Sequence, residues 1–480
     1  MKNLPREKKQ ATVAFSAIAM LTLVLFIALM LSAAKAPIVV VMLLSWLLLV
    51  PFGLYLGYSM QEMEKAALDL IRPSVGVMAL MIAVGGMVSI WLCAGTVPSM
   101  IYWGLKIISP SVFLLVAFIV TSLVGMATGT SWGTVATVGV AMMGVGLGLG
   151  LPSGLVAGAI ISGSYFGNGL SPVSDVPLMT SSVTNVDLWE HVKYLSHTSG
   201  IAWVLSAVLY GFLGIHYAGT AIDMAGINDI TSTLDALFHI SVVTLIPMAV
   251  VLVMMFKKFS ALWSILTGSV VGMLVSVFYQ GFTLAEVFGF VNKGFSMECD
   301  NAIIASLLNR GGFASMYELV AIIVGSMGVG GILKGTGMLD VLIIALSRKV
   351  NNIRSLSIVT AIATLACTTL IGTYYFCMTF VGTLMPSLYQ KAGYRPENAG
   401  RIINDLSSHF VIFLPWNAGG MYMMAQLGVP IREYAPFVFF NIIVMVLDVI
   451  FGVLGIGARK YTPEEMERFA GEAAGQDAAV

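Results

Sequence analysis

Charge is what this chain has least of. Only 10% of its 480 residues are Asp, Glu, Lys or Arg, 24 of each sign, and the formal net charge is zero. A soluble domain of that size carries roughly a quarter charged residues, so a water-soluble globular protein is excluded. The lack of a basic surplus also argues against a nucleic-acid partner. Cysteine is nearly as scarce: Cys93, Cys299, Cys367 and Cys377 are scattered through apolar segments, with no CxxC pair. No His stands near them at ligand spacing, so they read as small core hydrophobes and not as a metal or disulfide set. The 30 Met and 25 Phe read as core or lipid-facing filler.

What is present in quantity is hydrophobic sequence, 58% of the chain. Apolar runs of membrane-spanning length cover 11–33, 37–58, 74–97, 195–217, 234–256, 260–279, 313–333 and 434–457. The first run is longer than a signal-peptide core and has no evident cleavage site, which predicts a permanent span. Lys2, Arg6, Lys8 and Lys9 precede it and place the N-terminus in the cytoplasm. The pairs Lys257/Lys258, Arg348/Lys349 and Arg459/Lys460 suggest further cytoplasmic loops. The expected organisation is an N-terminal half, 1–217; an external linker, 218–233; a C-terminal half, 234–458; and a frayed cytoplasmic tail, 459–480.

Two further regions, 111–183 and 355–428, are apolar but interrupted by Gly, Pro, Ser, Thr and Asn. They look like repeats. Shifted by 243 residues, Gly129-Thr130 falls on Gly372-Thr373, Val138-Gly139 on Val381-Gly382, and Pro172 on Pro415. Upstream, Gly85-Gly86 and Gly95-Thr96 resemble Gly330-Gly331 and Gly335-Thr336 with a changed spacing. The loop 147–153 is uncharged while its counterpart 390–396 is basic, which suggests that the halves are inverted relative to each other. Paired, interrupted hydrophobic segments in two halves are the sequence mark of an inverted-repeat secondary transporter, and they point to its binding site.

The interruptions carry the chemistry. A helix break at Thr128-Gly129-Thr130-Ser131 would free carbonyls on one side and N–H groups on the other. Oxygens suit a hard cation such as Na⁺, and N–H groups suit an anion. A second interruption gathers Asn168, Ser171, Pro172, Ser174, Asp175 and Pro177, with no Lys or Arg within 17 residues of Asp175. A carboxylate at membrane depth must be protonated or hold a cation. The alternative, Asp175 solvated on an external loop, is the plainer one. In the second half Thr373, Asn404, Asp405, Ser407, Ser408 and Asn417 add oxygen atoms. His409 reads as a hydrogen-bonded core residue, and 297–316 as a surface helix leading into the next span.

At these residues the sequence resembles the NhaC-type sodium/proton antiporter family. The matching pieces are "ATGTSWGT", "AGAIISGSYFG" with "SPVSD", "SLLNRGG", "GGILKGTG" and "LPWNAGGMYM" with "LGVP". The resemblance implies an all-α polytopic membrane protein with re-entrant hairpins at 111–147 (tip at Thr128–Thr134) and 355–389. It also implies discontinuous helices at 153–183 and 397–428. The pattern departs from the family's at Asn168-Gly169, where an acid and a lysine are usual, and at Asn404, where a glutamate is. Organic anions, as in family members exchanging malate for lactate, therefore stand as the alternative substrate.

The expectation is an ion-coupled antiporter of a prokaryotic inner membrane, not an enzyme, exchanging Na⁺ and H⁺ without a cofactor. Its partners would be small ions or small organic anions and the lipid bilayer; a homodimer is compatible with it. Asp175 and Asp405 would alternate between protonated and cation-bound states. Oxygens of Thr130, Ser131, Asn168, Ser171, Ser174, Thr373, Asn404 and Asn417 would complete the site. An intramembrane aspartyl hydrolase using the same two acids lacks the Tyr-Asp and Gly-x-Gly-Asp settings of such enzymes. A passive channel does not explain two matched breaks.

Overall fold

A computed structural model of the chain describes residues 8–221, 224–299, 304–305, 308–347, 350, 352–371 and 373–466. Apart from one isolated bridge, Tyr394 with Lys460, their regular structure is helical. The first stretch holds α1 (Val13–Ser32), α2 (Ile38–Tyr55), α3 (Met60–Ile71), α4 (Val75–Cys93) and α5 (Thr96–Ile107). It continues with α6 (Pro110–Thr128), α7 (Ser131–Gly148), α8 (Ser153–Leu170), α9 (Asp175–Thr184) and α10 (Leu188–Ala221). Next come α11 (Met224–Leu237), α12 (Ile246–Phe256), α13 (Ala261–Phe278), α14 (Leu284–Lys293), α15 (Ala314–Gly335) and α16 (Met338–Ser347). The last group is α17 (Ile353–Ile371), α18 (Tyr374–Lys391), α19 (Glu397–Phe410), α20 (Ala418–Leu427) and α21 (Phe439–Leu454). Nine helices among the described residues are long and apolar enough to cross a membrane, eleven if two bent pairs each count as one. The chain is a multi-pass, all-α membrane protein.

The 243-residue shift predicted from a few Gly and Pro pairs governs whole elements. It carries Pro110–Thr128 onto Ile353–Ile371, Ser131–Gly148 onto Tyr374–Lys391, and Asp175–Thr184 onto Ala418–Leu427. Packing repeats as well: α6 lies against α8 as α17 lies against α19, and α6 against α10 as α17 against α21. A shorter pair repeats at another spacing. The 18-residue α2 and α13 are followed by α3 and α14, each opened by a capping box, Ser59 with Glu62 and Thr283 with Glu286. These elements exchange partners: α15 packs on α2 and α3, and α4 packs on α13 and α14.

Several boundaries differ from expectation. The run 234–256 is not one helix; it turns by 90° between Ile227–Leu237 and Val242–Phe256, where Ser241 caps the new start. The run 434–457 bends by 60° ahead of Phe439. The expected linker contains helix Met224–Leu237. Gly95 corresponds to Gly337 and not to Gly335: both have φ near +74°, each just after the helix that precedes it. Pro177 does not break a helix: it occupies the first turn of α9, where the missing N–H has no intrahelical partner anyway. Residues 459–466 are not frayed. Arg459 pairs with Glu190 and Glu397 at 2.9 and 3.4 Å, Arg395 pairs with Glu465, and Arg395 N–H donates to the Arg459 carbonyl. The Thr462 N–H and hydroxyl, with Arg395 beside them, hold the Glu465 carboxyl below its ordinary range. Residues 467–480, Lys2 and Arg6, the pair Arg348/Lys349 and Gly372 lie outside the described residues.

The corresponding loops inside the two repeats are far apart. Ser153 donates to Glu433, just ahead of α21, whereas Arg395 joins Arg459, just after it. The 16 residues of α21 span about 24 Å, so 147–153 and 390–396 lie at opposite ends of that helix.

The α6–α8 seam depends on glycine. A Cβ at Gly167 would stand 2.4 Å from Met126 N and Ser122 O, and one at Gly163 would stand 2.3 Å from Phe118 O. Close backbone approach of this kind is how helices associate where lipid offers no hydrophobic drive. Gly167→Ala should therefore cost about 1–3 kcal/mol by overpacking. Gly76→Ala, where nothing lies within 4 Å, should be neutral or stabilising. Thermal unfolding of the detergent-purified variants checks the difference; equal melting points would contradict the seam.

Candidate functional site

The two expected breaks are sharp and self-satisfied. α6 ends at Gly129, which takes φ +69°, a conformation that a β-carbon resists; its N–H is bonded to the Gly125 carbonyl at 2.9 Å. The chain restarts at Thr130, extended at φ −145° and ψ 123°, whose hydroxyl accepts from Gly133 N–H. Thr373 takes nearly the same angles, φ −147° and ψ 136°. Between α8 and α9, only 171–174 leaves the helix. Ser174 caps α9 by accepting from Val176 N–H, and Asn417 caps α20 by accepting from Gly419 N–H. Few carbonyls are left stranded: Ser171 Oγ donates to Met126 O, and Thr128 Oγ1 to Val124 O.

Four helix starts, those of α7, α9, α18 and α20, come together around Trp132. Its ring stacks on Tyr422 at 4.3 Å and 16°, and Tyr422 donates its hydroxyl to the Trp132 carbonyl at 2.9 Å. A cavity of about 360 Å³ opens there, lined by Thr130, Ser131, Asn168 and Asp175 together with Tyr374 and Tyr375. Asp175 is the first residue of α9, at the positive end of the helix dipole. It is solvent-accessible, accepts hydrogen bonds from Tyr375 and Tyr374, and among the described residues is the only carboxylate lining this cavity. Asn168 Oδ1 accepts from Ser174 Oγ at 2.7 Å.

Thr373 and Asn417 line a small void of about 20 Å³ next to it, with Trp132 and Tyr374 between. Thr373 also lines a wider cavity of about 750 Å³ that holds Lys334, whose ammonium sits over the Phe376 ring at 4.5 Å. Seven of the ten expected residues are thus gathered at one junction, counting Ser174 behind Asn168. Ser171 is not among them, since its hydroxyl is spent on the hairpin.

Asn404 and Asp405 line none of these cavities. They lie in a separate buried cluster on α19, facing α10 and α21. Asn404 Nδ2 donates to Asp405 Oδ1 at 2.8 Å. Asp405 faces Asp448 of α21 within hydrogen-bonding reach, and Arg401 Nε lies 3.3 Å from Asp448 Oδ1. His409 is buried as expected of a core residue, with Nδ1 3.1 Å from Asn441 Nδ2 and Nε2 3.9 Å from Asp405 Oδ1.

Arg401 and Asp448 were not singled out from the sequence, nor were Tyr374, Tyr375 and Trp132. Asp448 did leave a signal, as a lone carboxylate inside "FFNIIVMVLDVIFGVL", and such a residue is a functional candidate by default. The expected surface helix at 297–316 includes undescribed residues. Its end is a docking turn: Gly311 and Gly312 have φ near +85°, and Gly312 N–H donates to the Gly85 carbonyl at 2.7 Å.

Comparison with known proteins gives a family. The model of the Na+/H+ antiporter family matches residues 4–215 and 163–456. The malate-2H(+)/Na(+)-lactate antiporter of Bacillus subtilis is 33% identical over 441 residues, 90% of this chain and 92% of the relative. The Na(+)/H(+) antiporter NhaC of Alkalihalophilus pseudofirmus is 29% identical over 454 residues, 94% and 98% of the two chains. The arginine/ornithine antiporter ArcD of Halobacterium salinarum is 30% identical over 411 residues, 85% of each.

Asn168 gives a direct test of which charge the cavity accepts. Two unit charges about 4 Å apart interact by about 4 kcal/mol at an effective dielectric near 20, before desolvation. A third of that is worth about tenfold in affinity. Asn168→Asp should tighten Na⁺ binding, read by isothermal calorimetry on purified protein, and should weaken uptake of any organic anion. No change in either would remove residue 168 from the site.

Proposed function

The chain belongs to the Na+/H+ antiporter family, and from that premise we propose that it exchanges Na⁺ for H⁺ across a prokaryotic inner membrane, with its N-terminus in the cytoplasm. The observation that carries the proposal is the cavity at the four helix starts with Asp175 as its single carboxylate. A lone acid at such a junction has two ways to be neutral, a proton or a sodium ion. Holding only one at a time is what couples their opposite movements. Hydroxyl and amide oxygens of Thr130, Ser131, Asn168 and Ser174 would complete a hard-cation site, with Thr373 and Asn417 as second-half counterparts. Asp405 would alternate in the same way within its own cluster. No resident cofactor is needed, since the exchanged ions are the only chemistry.

We assign the halves inverted topology, which lets one half open to each side in turn. The position of 147–153 and 390–396 at opposite ends of α21 supports this. Cysteines placed in the two loops, on a background lacking the native four, should label from opposite sides of the membrane. Labelling from one side would sink the inverted arrangement.

Small organic anions are the second reading. Helix starts, where N–H groups suit an anion, meet at the junction, and the adjoining 750 Å³ cavity is lined by Lys334 as well as by Asp69. The 33% identical relative is named for malate and lactate.

Proteoliposomes with an internal pH dye, challenged with Na⁺, Li⁺, K⁺ or organic acids, separate these readings. Na⁺ alone should drive proton movement. Asp175→Asn should reduce it to background while leaving expression and melting temperature near wild type. Wild-type exchange in that variant would make Asp175 a bystander.

A further inference from the structure

The cluster on α19 has an unusual charge count. Arg401, Asp405 and Asp448 are 2%, 1% and 0% exposed, so none of the three reaches water. One guanidinium faces two carboxylates. If both acids are ionised, the group carries one negative charge more than it can neutralise. A buried charge without a counter-charge costs several kcal/mol, so that surplus has to be balanced.

Nothing else nearby balances it. Among the described residues, α10 contributes His191, Tyr194 and Thr198, and α18 contributes the Tyr389 hydroxyl. α17 offers only the hydroxyls of Ser357 and Thr360, and α19 itself adds His409. Glu397, a turn earlier, is already held by Arg459 at the rim. Among the described residues, no second fixed cation faces the cluster. Meanwhile Asn404 Oδ1, Asp405 Oδ2 and both oxygens of Asp448 are buried without a hydrogen bond of good geometry; the His191 ring near Asn404 and the Thr198 hydroxyl near Asp448 are the neutral groups closest to them. The Arg401 contact at 3.3 Å is an ion pair outside hydrogen-bond geometry, so it does not saturate Asp448. Buried acceptors left open in this way are oxygens waiting for a cation or a proton.

We propose that Arg401, Asp405 and Asp448 form a second ion site, separate from the Asp175 cavity, that holds one exchangeable positive charge, either a proton or a sodium ion. It deepens the antiport reading above and rests on it. Arg401 acts as a resident cation that cancels one acid for good. The remaining charge is shared by the facing carboxyl groups, which either bind one proton between them or release it as Na⁺ enters through Asn404 Oδ1, Asp405 Oδ2 and Asp448. The site therefore trades one proton for one sodium ion. His409 stands between the two sites: its Nε2 is 3.9 Å from Asp405, and a Cβ at Gly169, next to the cavity-lining Asn168, would also stand 3.9 Å from it.

The charge count makes a rescue experiment decisive. Asp448→Asn leaves Arg401 and Asp405 as a balanced pair with nothing to exchange, and should lower Na⁺-driven proton flux in proteoliposomes by about 100-fold. Adding Arg401→Gln leaves Asp405 as the single charge and should restore flux to within about tenfold of wild type. A merely structural pair would also recover in the double variant, but its melting temperature would fall and recover in step with flux, whereas the ion site predicts that flux changes at a normal melting temperature. Wild-type flux in Asp448→Asn, or no recovery in a double variant of normal melting temperature, would overturn the site.

A measurement on the unmodified protein guards against misfolding. Dicyclohexylcarbodiimide reacts with protonated carboxyl groups in apolar surroundings. It should label Asp405 or Asp448 in a peptide map, and Na⁺ should protect them. Labelling that is absent, or unaffected by Na⁺, also overturns the proposal. If wild-type vesicles show no Na⁺-driven proton movement while labelling remains Na⁺-protected, the antiport reading fails and the ion site stands.

Discussion

A chain that stops being helical inside an apolar slab must supply its own partners for the backbone groups it frees, and this molecule is organised around four such stops. Hydrocarbon offers no hydrogen bonds, so each break has to be capped by neighbouring side chains or by the turn itself. The caps here are short and local: Gly129 with Gly125, Thr130 with Gly133, Ser174 with Val176 and Asn417 with Gly419. Thr130, Ser174 and Asn417 each accept a capping hydrogen bond, while Ser131 and Asp175 beside them make no cap and line the cavity. The polar junction and the integrity of the helices thus have one cause. The glycine seams that hold α6 to α8 keep the breaks in register with each other.

The fold was legible wherever a signal was periodic or punctuated. Spans such as Val13–Ser32 and Ala261–Phe278 follow from apolar length alone, and the breaks at 129–130 and 171–174 follow from Gly, Pro and Ser. What escaped was geometry inside apolar text. A run of hydrophobic residues reads the same whether it is straight or turns by 90°, so the bend before Val242 was invisible except through Ser241. The tail misled for the opposite reason. Its composition is that of a loose end, but Arg459 and Glu465 have specific partners more than sixty residues away.

The candidate site was half legible. Local sequence brings Asn168, Ser174 and Asp175 together, and the repeat adds Thr373 and Asn417. No local pattern could join Asp405 to Asp448, because they lie on different helices and their pairing depends on how α19 packs against α21. A lone acid in a span indicates that a partner must exist without saying which one. That Asp175 and Asp405 have separate surroundings was hidden for the same reason.

The frame of the molecule is built twice, but its ionisable groups are not. The 243-residue shift that superimposes helix ends carries Asp175 onto Ala418, Asn168 onto Val411, Asp405 back onto Ser162 and Arg401 back onto Gly158. Under the inverted topology proposed above, a frame rocking between two end states would visit shapes related by exchanging the halves, so the backbone would give neither shape an advantage. Any resting preference then comes from residues that differ between the copies. Differences of a few kcal/mol suffice to leave one state at a few per cent of the population. The direction in which such a molecule idles is a property of its unmatched side chains, and can drift in evolution without any change of fold.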